Sequence, residues 1–220
     1  MSPRVAGPIE LMCRSCGARF DASQAPLVCP TCQALVPPHP AASPFARLGL
    51  DRPRFDVDAK ALEATWLSRS RVVHPDRAMK KSDAERRFAV EQTAALNDAW
   101  RSLRVPFDRA ALLLKMAGVP EPQLRQALLV GFMDAREEAE ASPDRKAVVV
   151  ADSVARFREL MRTAEGELRV VDGVDGGYEQ PSPELPRLRA VAASLAEAKT
   201  LARLVDDLGG ERLLPSLQGR

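Results

Sequence analysis

Pro75 breaks a stretch, Leu62 to Leu103, that is otherwise patterned as helix throughout. A proline has no N–H to donate and its ring clashes with the preceding turn, so the chain must turn there. Before the break, Leu62, Trp66, Val72 and Val73 form an approximate helical apolar stripe, with Arg69 and Arg71 interleaved. After it, Ser82 and Glu85 stand at capping-box spacing, the hydroxyl accepting an orphan N–H and the carboxylate reaching back to the cap. Phe88, Ala95, Leu96, Ala99, Trp100 and Leu103 then keep one face apolar. Two such helices pack as an antiparallel hairpin. The hairpin presents His74-Pro75-Asp76 at an exposed tip that continues through Lys81, flanked by Arg69, Arg71, Arg77, Lys80 and Lys81. A catalytic His–Asp dyad is disfavoured, because the loop holds no Ser or Cys nucleophile and a hairpin tip has no water-excluding pocket. The chain is therefore expected not to be an enzyme.

Four cysteines set the second constraint. Cys13-Arg-Ser-Cys16 and Cys29-Pro-Thr-Cys32 are separated by twelve residues. Each short turn aims two sulfurs at one point, so Cys13, Cys16, Cys29 and Cys32 are predicted to hold one structural, tetrathiolate Zn²⁺. Gly17 suits the first knuckle, where positive φ is needed, while the second has Gln33 in its place. The segment is too small to fold on its own core, so metal would supply its folding energy. A redox dithiol is disfavoured, because no βαβ pattern surrounds either pair, and a rubredoxin-like iron site stays open. A nucleic-acid-binding ribbon is weakened by the scarcity of cations near the cysteines, Arg14 and Arg19 only. The opening MSPRVAGPIELM is too short and polar for a signal peptide and is not an Arg/Ser-rich transit peptide. No run approaches the ~18 apolar residues of a membrane span. A cytoplasmic location is expected, where cysteines bind metal more often than they form disulfides.

The remaining chain reads as mainly α. Residues 1–36 form the tetracysteine element, and 37–43 a Pro-rich linker within QALVPPHPAASP (33–44), where His39 is an ordinary linker residue. Ser43-Pro44 starts a short helix whose Phe45 and Leu48 face the hairpin, and Asp58 caps the helix that ends near Val73. Pro106 opens a helix that ends at Gly118, and a domain boundary is expected at 119/120, before Pro120 and Pro122. The segment 120–220 is then a helical bundle. Its first helix is predicted over Pro122–Ala141, and its second begins at Ser142-Pro143 with the stripe Val150, Val154, Phe157, Met161, Ala164, Leu168. The third carries Leu188, Val191, Leu195, Ala198, Ala202 and Val205. The Gly/Pro/Asp-rich loop 172–186 is expected to be mobile, and the tail after Gly209-Gly210 frayed.

Net charge is +2, which favours neither nucleic acid nor membrane as partner. Local charge is more informative. Residues 66–87 carry seven Lys/Arg against three acids, and residues 132–144 carry five acids against one Arg. Opposite local signs suit two different protein-contact surfaces.

A helical hairpin with His-Pro-Asp at its tip resembles the J-domain of DnaJ-type co-chaperones. More narrowly, SPFARLGL (43–50), the HPD loop, AVEQTAALNDAWRSL (89–103) and PFDRAALLLKMAG (106–118) are similar to the HscB branch, some members of which carry an N-terminal tetracysteine element. The chain departs from the usual pattern in having Val73 where an aromatic precedes HPD, and Trp100 where Tyr is common. The resemblance implies a tetracysteine zinc element, a J-domain over 44–119, and a C-terminal bundle over 120–220. It implies a co-chaperone that binds an IscU-like iron–sulfur cluster scaffold protein and delivers it to a DnaK/HscA-type chaperone, stimulating that chaperone's ATPase. His74, Pro75, Asp76, Arg69, Arg71, Arg77 and Lys80 would meet the chaperone. Leu129, Val130, Met133, Asp134 and Glu137, in LLVGFMDAREEAE (128–140), would meet the scaffold; the weaker alternative is that Leu129, Val130 and Met133 are bundle core, as a Leu/Met stripe usually is. The alternatives are a general J-domain co-chaperone for unfolded chains, a zinc-ribbon nucleic-acid-binding protein, and an iron-handling protein whose thiolates receive iron or a cluster.

Overall fold

The structure, a computed structural model, describes residues 10–214. The polar N-terminal run through residue 9 and the end of the tail from 215 lie outside them. The elements in chain order are strands β1 (Glu10–Met12) and β2 (Arg19–Asp21), then helices α1 (Pro44–Arg47), α2 (Ala59–Val73), α3 (Pro75–Ala78), α4 (Asp83–Arg104), α5 (Pro106–Met116), α6 (Gln126–Ala141), α7 (Pro143–Asp172) and α8 (Leu185–Asp207). The protein is thus mainly α, with a two-stranded antiparallel sheet in which Leu11 faces Phe20. No helix among the described residues is long and apolar enough to cross a membrane.

The described chain forms two compact units. One holds the chain up to Pro53 together with Val57–Val105, and the other holds Arg54–Asp56 together with the chain from Pro106. The helix boundaries follow from caps. Ser43 and Asp58 accept backbone N–H groups at the starts of α1 and α2, and Ser82 and Glu85 make both bonds of the capping box on α4. In the first unit α2 and α4 form the expected hairpin, and α1 lies on α4. Phe45, Leu48, Leu62, Val73, Phe88, Leu96, Ala99 and Leu103 make its core. Burying each large apolar side chain there is worth about 1.5–3 kcal/mol. Val72, expected in the apolar stripe, is instead exposed, because its neighbour Val73 takes the inward position. Trp66 and Trp100 stack at 5.2 Å, half-buried, and Trp66 Nε1 donates to Asn97 Oδ1.

The tetracysteine segment belongs to this same compact unit. Leu35 and Val36 are buried, and Val28 bridges to Leu35. The Pro-rich stretch is also packed, because Ala42 joins Ala25 and Ala46 in a small apolar cluster and the His39 carbonyl accepts from Arg47.

In the second unit α7 packs along α8 and α6 along α7. Helix α5, expected with the hairpin, packs on α7 and α8, so the compact units part at 105/106 rather than at 119/120. Every residue of the α8 stripe is buried, as is that of α7 except half-buried Val150. Helix α6 starts at Gln126, later than expected, and Arg125 gives its start no side-chain cap. The loop after α7 differs from the mobile segment expected. Tyr178 is buried and its hydroxyl proton is shared between Asp172, at 2.8 Å, and the Leu168 carbonyl, at 3.0 Å, while Ser182 donates to the Gly177 carbonyl and Gln180 to that of Met116. The Asp172 carboxylate also accepts from the Phe55 and Asp56 N–H groups, at 2.7 Å each, which fixes the short segment Arg54–Asp56 in this unit. At the far end, Gly210 N donates to Val205 O and Leu214 is buried, so the tail does not fray directly after the glycine pair.

Candidate functional site

Three groups of residues carry chemistry. The first is the cysteine cluster. The sulfurs of Cys13, Cys16, Cys29 and Cys32 all lie within 4.8 Å of one another, with Cys13 to Cys32 at 3.6 Å and Cys16 to Cys29 at 3.8 Å. A tetrahedral ion with metal–sulfur bonds of ~2.3 Å requires sulfurs about 3.8 Å apart, so the four thiols fit one metal ion. Cys13 and Cys29 are buried, while Cys16 and Cys32 face solvent. Burial works to raise the Cys29 thiol, but the backbone N–H groups of Cys32 and Thr31 and the neighbouring thiols outweigh it and lower it, whereas the same close packing of thiols pushes Cys16 up.

The two knuckles are built alike. Gly17 N donates to Cys13 O and Gln33 N to Cys29 O, and both residues have positive φ, 74° and 62°. Only the first is a glycine. A side chain in the left-handed region costs roughly 1–2 kcal/mol. Gln33→Gly is therefore expected to raise the stability of the metal-loaded protein by about 1 kcal/mol, less whatever is lost in chain entropy. Chemical denaturation followed by a signal from the first unit measures this, and an unchanged or lower midpoint would show that Gln33 is unstrained.

The second group is the hairpin tip. His74 caps α3, its Nδ1 accepting from Asp76 N at 3.3 Å, and Pro75 occupies the first helical position. The tip is thus a single helical turn rather than an irregular loop. With Nδ1 accepting, the neutral ring carries its proton on Nε2, at the other edge. The side chains of His74 and Asp76 are 56% and 81% exposed, 3.6 Å apart, which leaves the carboxylate open to an outside cation. Of the basic flank, Arg71, Arg77 and Lys80 are exposed, and Arg77 donates to the Arg71 carbonyl. Lys81 pairs with Glu85 at 3.1 Å. Arg69 is different: its guanidinium turns inward and donates to the Ala25 carbonyl, and burial lowers its pKa. Sequence reasoning overlooked Met79 and Val72, which are 69% and 43% exposed beside the tip. A large apolar side chain inside a basic run was the available signal.

The third group is the outer face of α6. Leu129, Val130 and Met133 are 46%, 48% and 64% exposed, so they are not bundle core. Phe132, Ala135 and Ala139 take the inward positions instead. Asp134 and Glu137 are exposed on the same helix. Gly131 lies among them with open space where a Cβ would be.

Compared with known proteins, the chain matches no family model. It is 37% identical over 130 residues to the co-chaperone protein HscB homologue of Bordetella petrii, covering 54% of this chain and 76% of that one. It is 28% identical over 179 residues to the iron-sulfur cluster co-chaperone protein HscB of Mus musculus, covering 78% and 72% respectively. Among solved structures, human co-chaperone protein HscB superposes with a TM-score of 0.72 at 21% identity, over 90% of this chain and 97% of that one. Chaperone HscB from Vibrio cholerae does so with a TM-score of 0.60 at 25% identity, over 76% and 95%.

Proposed function

This chain belongs to the HscB co-chaperone family, and from that premise we propose that it binds an iron–sulfur cluster scaffold protein and delivers it to a DnaK/HscA-type chaperone, whose ATPase it stimulates. The observation that carries the reading is the exposed His74-Pro75-Asp76 turn, capped by His74, with its histidine and carboxylate open to solvent. Asp76 pairs with a chaperone arginine through charge-assisted hydrogen bonds. Arg71, Arg77 and Lys80 steer the approach toward an acidic surface, and Met79 and Val72 supply apolar contact. The protein contributes no catalytic group of its own. The four thiolates of Cys13, Cys16, Cys29 and Cys32 hold a structural Zn²⁺, whose role is to close the element they belong to. The J-domain and the C-terminal bundle act as the chaperone-binding and scaffold-binding parts.

Leu129, Val130, Met133, Asp134 and Glu137 on α6 form the scaffold contact, an apolar strip with acids beside it. Three exposed apolar side chains on one helix have no role in the fold, and an interface would bury them. Leu129→Ala with Met133→Ala is expected to weaken scaffold binding at least tenfold, about 1.4 kcal/mol, with the thermal midpoint unchanged. Titration calorimetry against the scaffold reads this, and wild-type affinity in the double variant would remove α6 from the interface.

The direct test of the function is steady-state ATP hydrolysis by the DnaK/HscA-type chaperone of the same cell, with this protein added in the presence and absence of scaffold. Stimulation that scaffold enhances is the expected result. Stimulation indifferent to scaffold would assign the chain to general J-domain co-chaperones of unfolded proteins, and none at all would overturn the reading.

A further inference from the structure

The cysteine element and the HPD turn are far apart in sequence but meet at one side chain. Glu85 is the third residue of α4, and its carboxylate serves both. On one side it closes the exit of the turn: Oε2 accepts from the Ser82 hydroxyl at 3.0 Å and the Ser82 N–H at 3.4 Å, and Oε1 pairs with Lys81 Nζ at 3.1 Å. On the other side Oε1 accepts from the backbone N–H of Leu35 at 3.2 Å, two residues past Gln33 in the second knuckle. Burial works to raise this carboxyl, but the Lys81 ammonium, the Leu35 N–H and the Ser82 hydroxyl together hold it below the usual range.

Other contacts hold the cysteine element against α2 and α4, the helices on either side of the turn. Gln92 Nε2, buried on α4, donates to the Val36 carbonyl at 3.0 Å, Arg69 on α2 donates to that of Ala25, and the Arg14 guanidinium sits over the Phe88 ring at 5.6 Å. Leu35 and Val36 can offer these groups only while the knuckles are closed. The chain between the two strands and Val36 is too short for a core of its own, so its closure depends on metal.

We propose that Glu85 is a positioning residue that couples the cysteine element to the HPD turn, so that metal at Cys13, Cys16, Cys29 and Cys32 sets how firmly residues 74–82 are held. The link to chaperone stimulation rests on the function proposed above, whereas the coupling itself does not. With the element closed, Leu35 fixes the carboxylate and the carboxylate fixes Lys81 and Ser82. With it open, Glu85 loses one partner to solvent and the turn keeps its cap alone.

Amide hydrogen exchange over 74–86 in the full chain tests this without chaperone or scaffold. Wild type and Glu85→Ala are each measured with one equivalent of Zn²⁺ and after chelation. In wild type, chelation is expected to speed exchange in the turn about tenfold, the size of one charge-assisted hydrogen bond, and to leave α7 and α8 unchanged. In Glu85→Ala, the turn is expected to exchange fast in both states. Ser82→Ala, which breaks the cap but spares the Leu35 bond, should keep the metal dependence. Glu85→Asp, one methylene shorter, retains a negative charge at the start of the helix and serves where the alanine variant does not fold. It too should lose the metal dependence. An equal response to chelation in wild type and either Glu85 variant, or no response in wild type, would overturn the coupling. Because no partner is in the mixture, that failure would leave the chaperone reading standing, and a failure to stimulate ATP hydrolysis would leave the coupling standing.

Discussion

His74→Gln is expected to reduce stimulation of the chaperone's ATPase by at least tenfold while leaving scaffold affinity and thermal stability as they are. The side chain is more than half exposed, and its polar contacts are both with Asp76: the cap on Asp76 N and the carboxylate 3.6 Å away. Losing the cap bond costs stability on the order of 0.5 kcal/mol, within the range of ordinary surface substitutions. What the turn loses is geometry. A glutamine amide can reach the same N–H only by fixing three rotatable bonds, and it does not place an N–H where the ring's Nε2 stands. Asp76, whose side chain is 81% exposed, then meets its partner arginine from a backbone no longer held. A misaligned charge-assisted pair forfeits most of its ~1.5–3 kcal/mol, which is a factor of ten or more. Steady-state hydrolysis by the chaperone with saturating scaffold, beside calorimetry for the scaffold alone, separates the two effects. Full stimulation by the variant would take the turn out of the chaperone contact. Loss of scaffold affinity as well would mean that the substitution perturbs more than the tip.

Removal of the metal should have the second large effect, and it should be confined to one unit. The purified protein is expected to hold one equivalent of zinc and to be colourless; visible absorbance would instead favour the iron-handling alternative. Cys29→Ser places a hydroxyl at a fully buried ligand position, and is expected to abolish tight metal binding and to unfold the segment from β1 to Val36. Structural zinc contributes apparent free energies of about 10–16 kcal/mol in small domains, far more than the apolar cluster around Cys13, Cys29 and Val36 can replace. Heteronuclear spectra should then lose dispersion for residues 10–36 and keep it for α6, α7 and α8. A variant that stays folded over 10–36 without metal would show that this segment carries its own core.

Much of this was legible in the sequence, and the reason is locality. Pro75, the Ser82–Glu85 box, Asp58 and the α8 stripe each act within a turn or two of themselves, so their spacing is their signal. The cysteine spacing was enough to bring four sulfurs together. What was hidden depends on backbone groups meeting side chains from distant elements. Nothing near Gln92 announces that the Val36 carbonyl will bury it, and Arg69 reads as one of a basic run until the Ala25 carbonyl is seen to hold it. Glu85 was visible as a cap but not as the acceptor for Leu35. The loop 172–186 misled through composition, since its Gly, Pro and Asp content suggests mobility, whereas one buried tyrosine orders it. On α6 the apolar residues alone could not distinguish core from surface, because Phe132 and Ala135 compete with Leu129 and Met133 for the inward face.

The segment Arg54–Asp56 bears on how such chains can be recombined. The polypeptide passes between its two units three times, at 53/54, 56/57 and 105/106, rather than once. Phe55 is fully buried under the Arg109 guanidinium, and Asp172 grips the backbone beside it. A hairpin exchanged between two relatives by cutting once, after α4, would carry along an aromatic fitted to the pocket of its former bundle. Shuffling therefore has to move three residues against the grain of the sequence, or let Phe55, Arg109 and Asp172 change together. In this chain neither unit is one unbroken stretch of sequence.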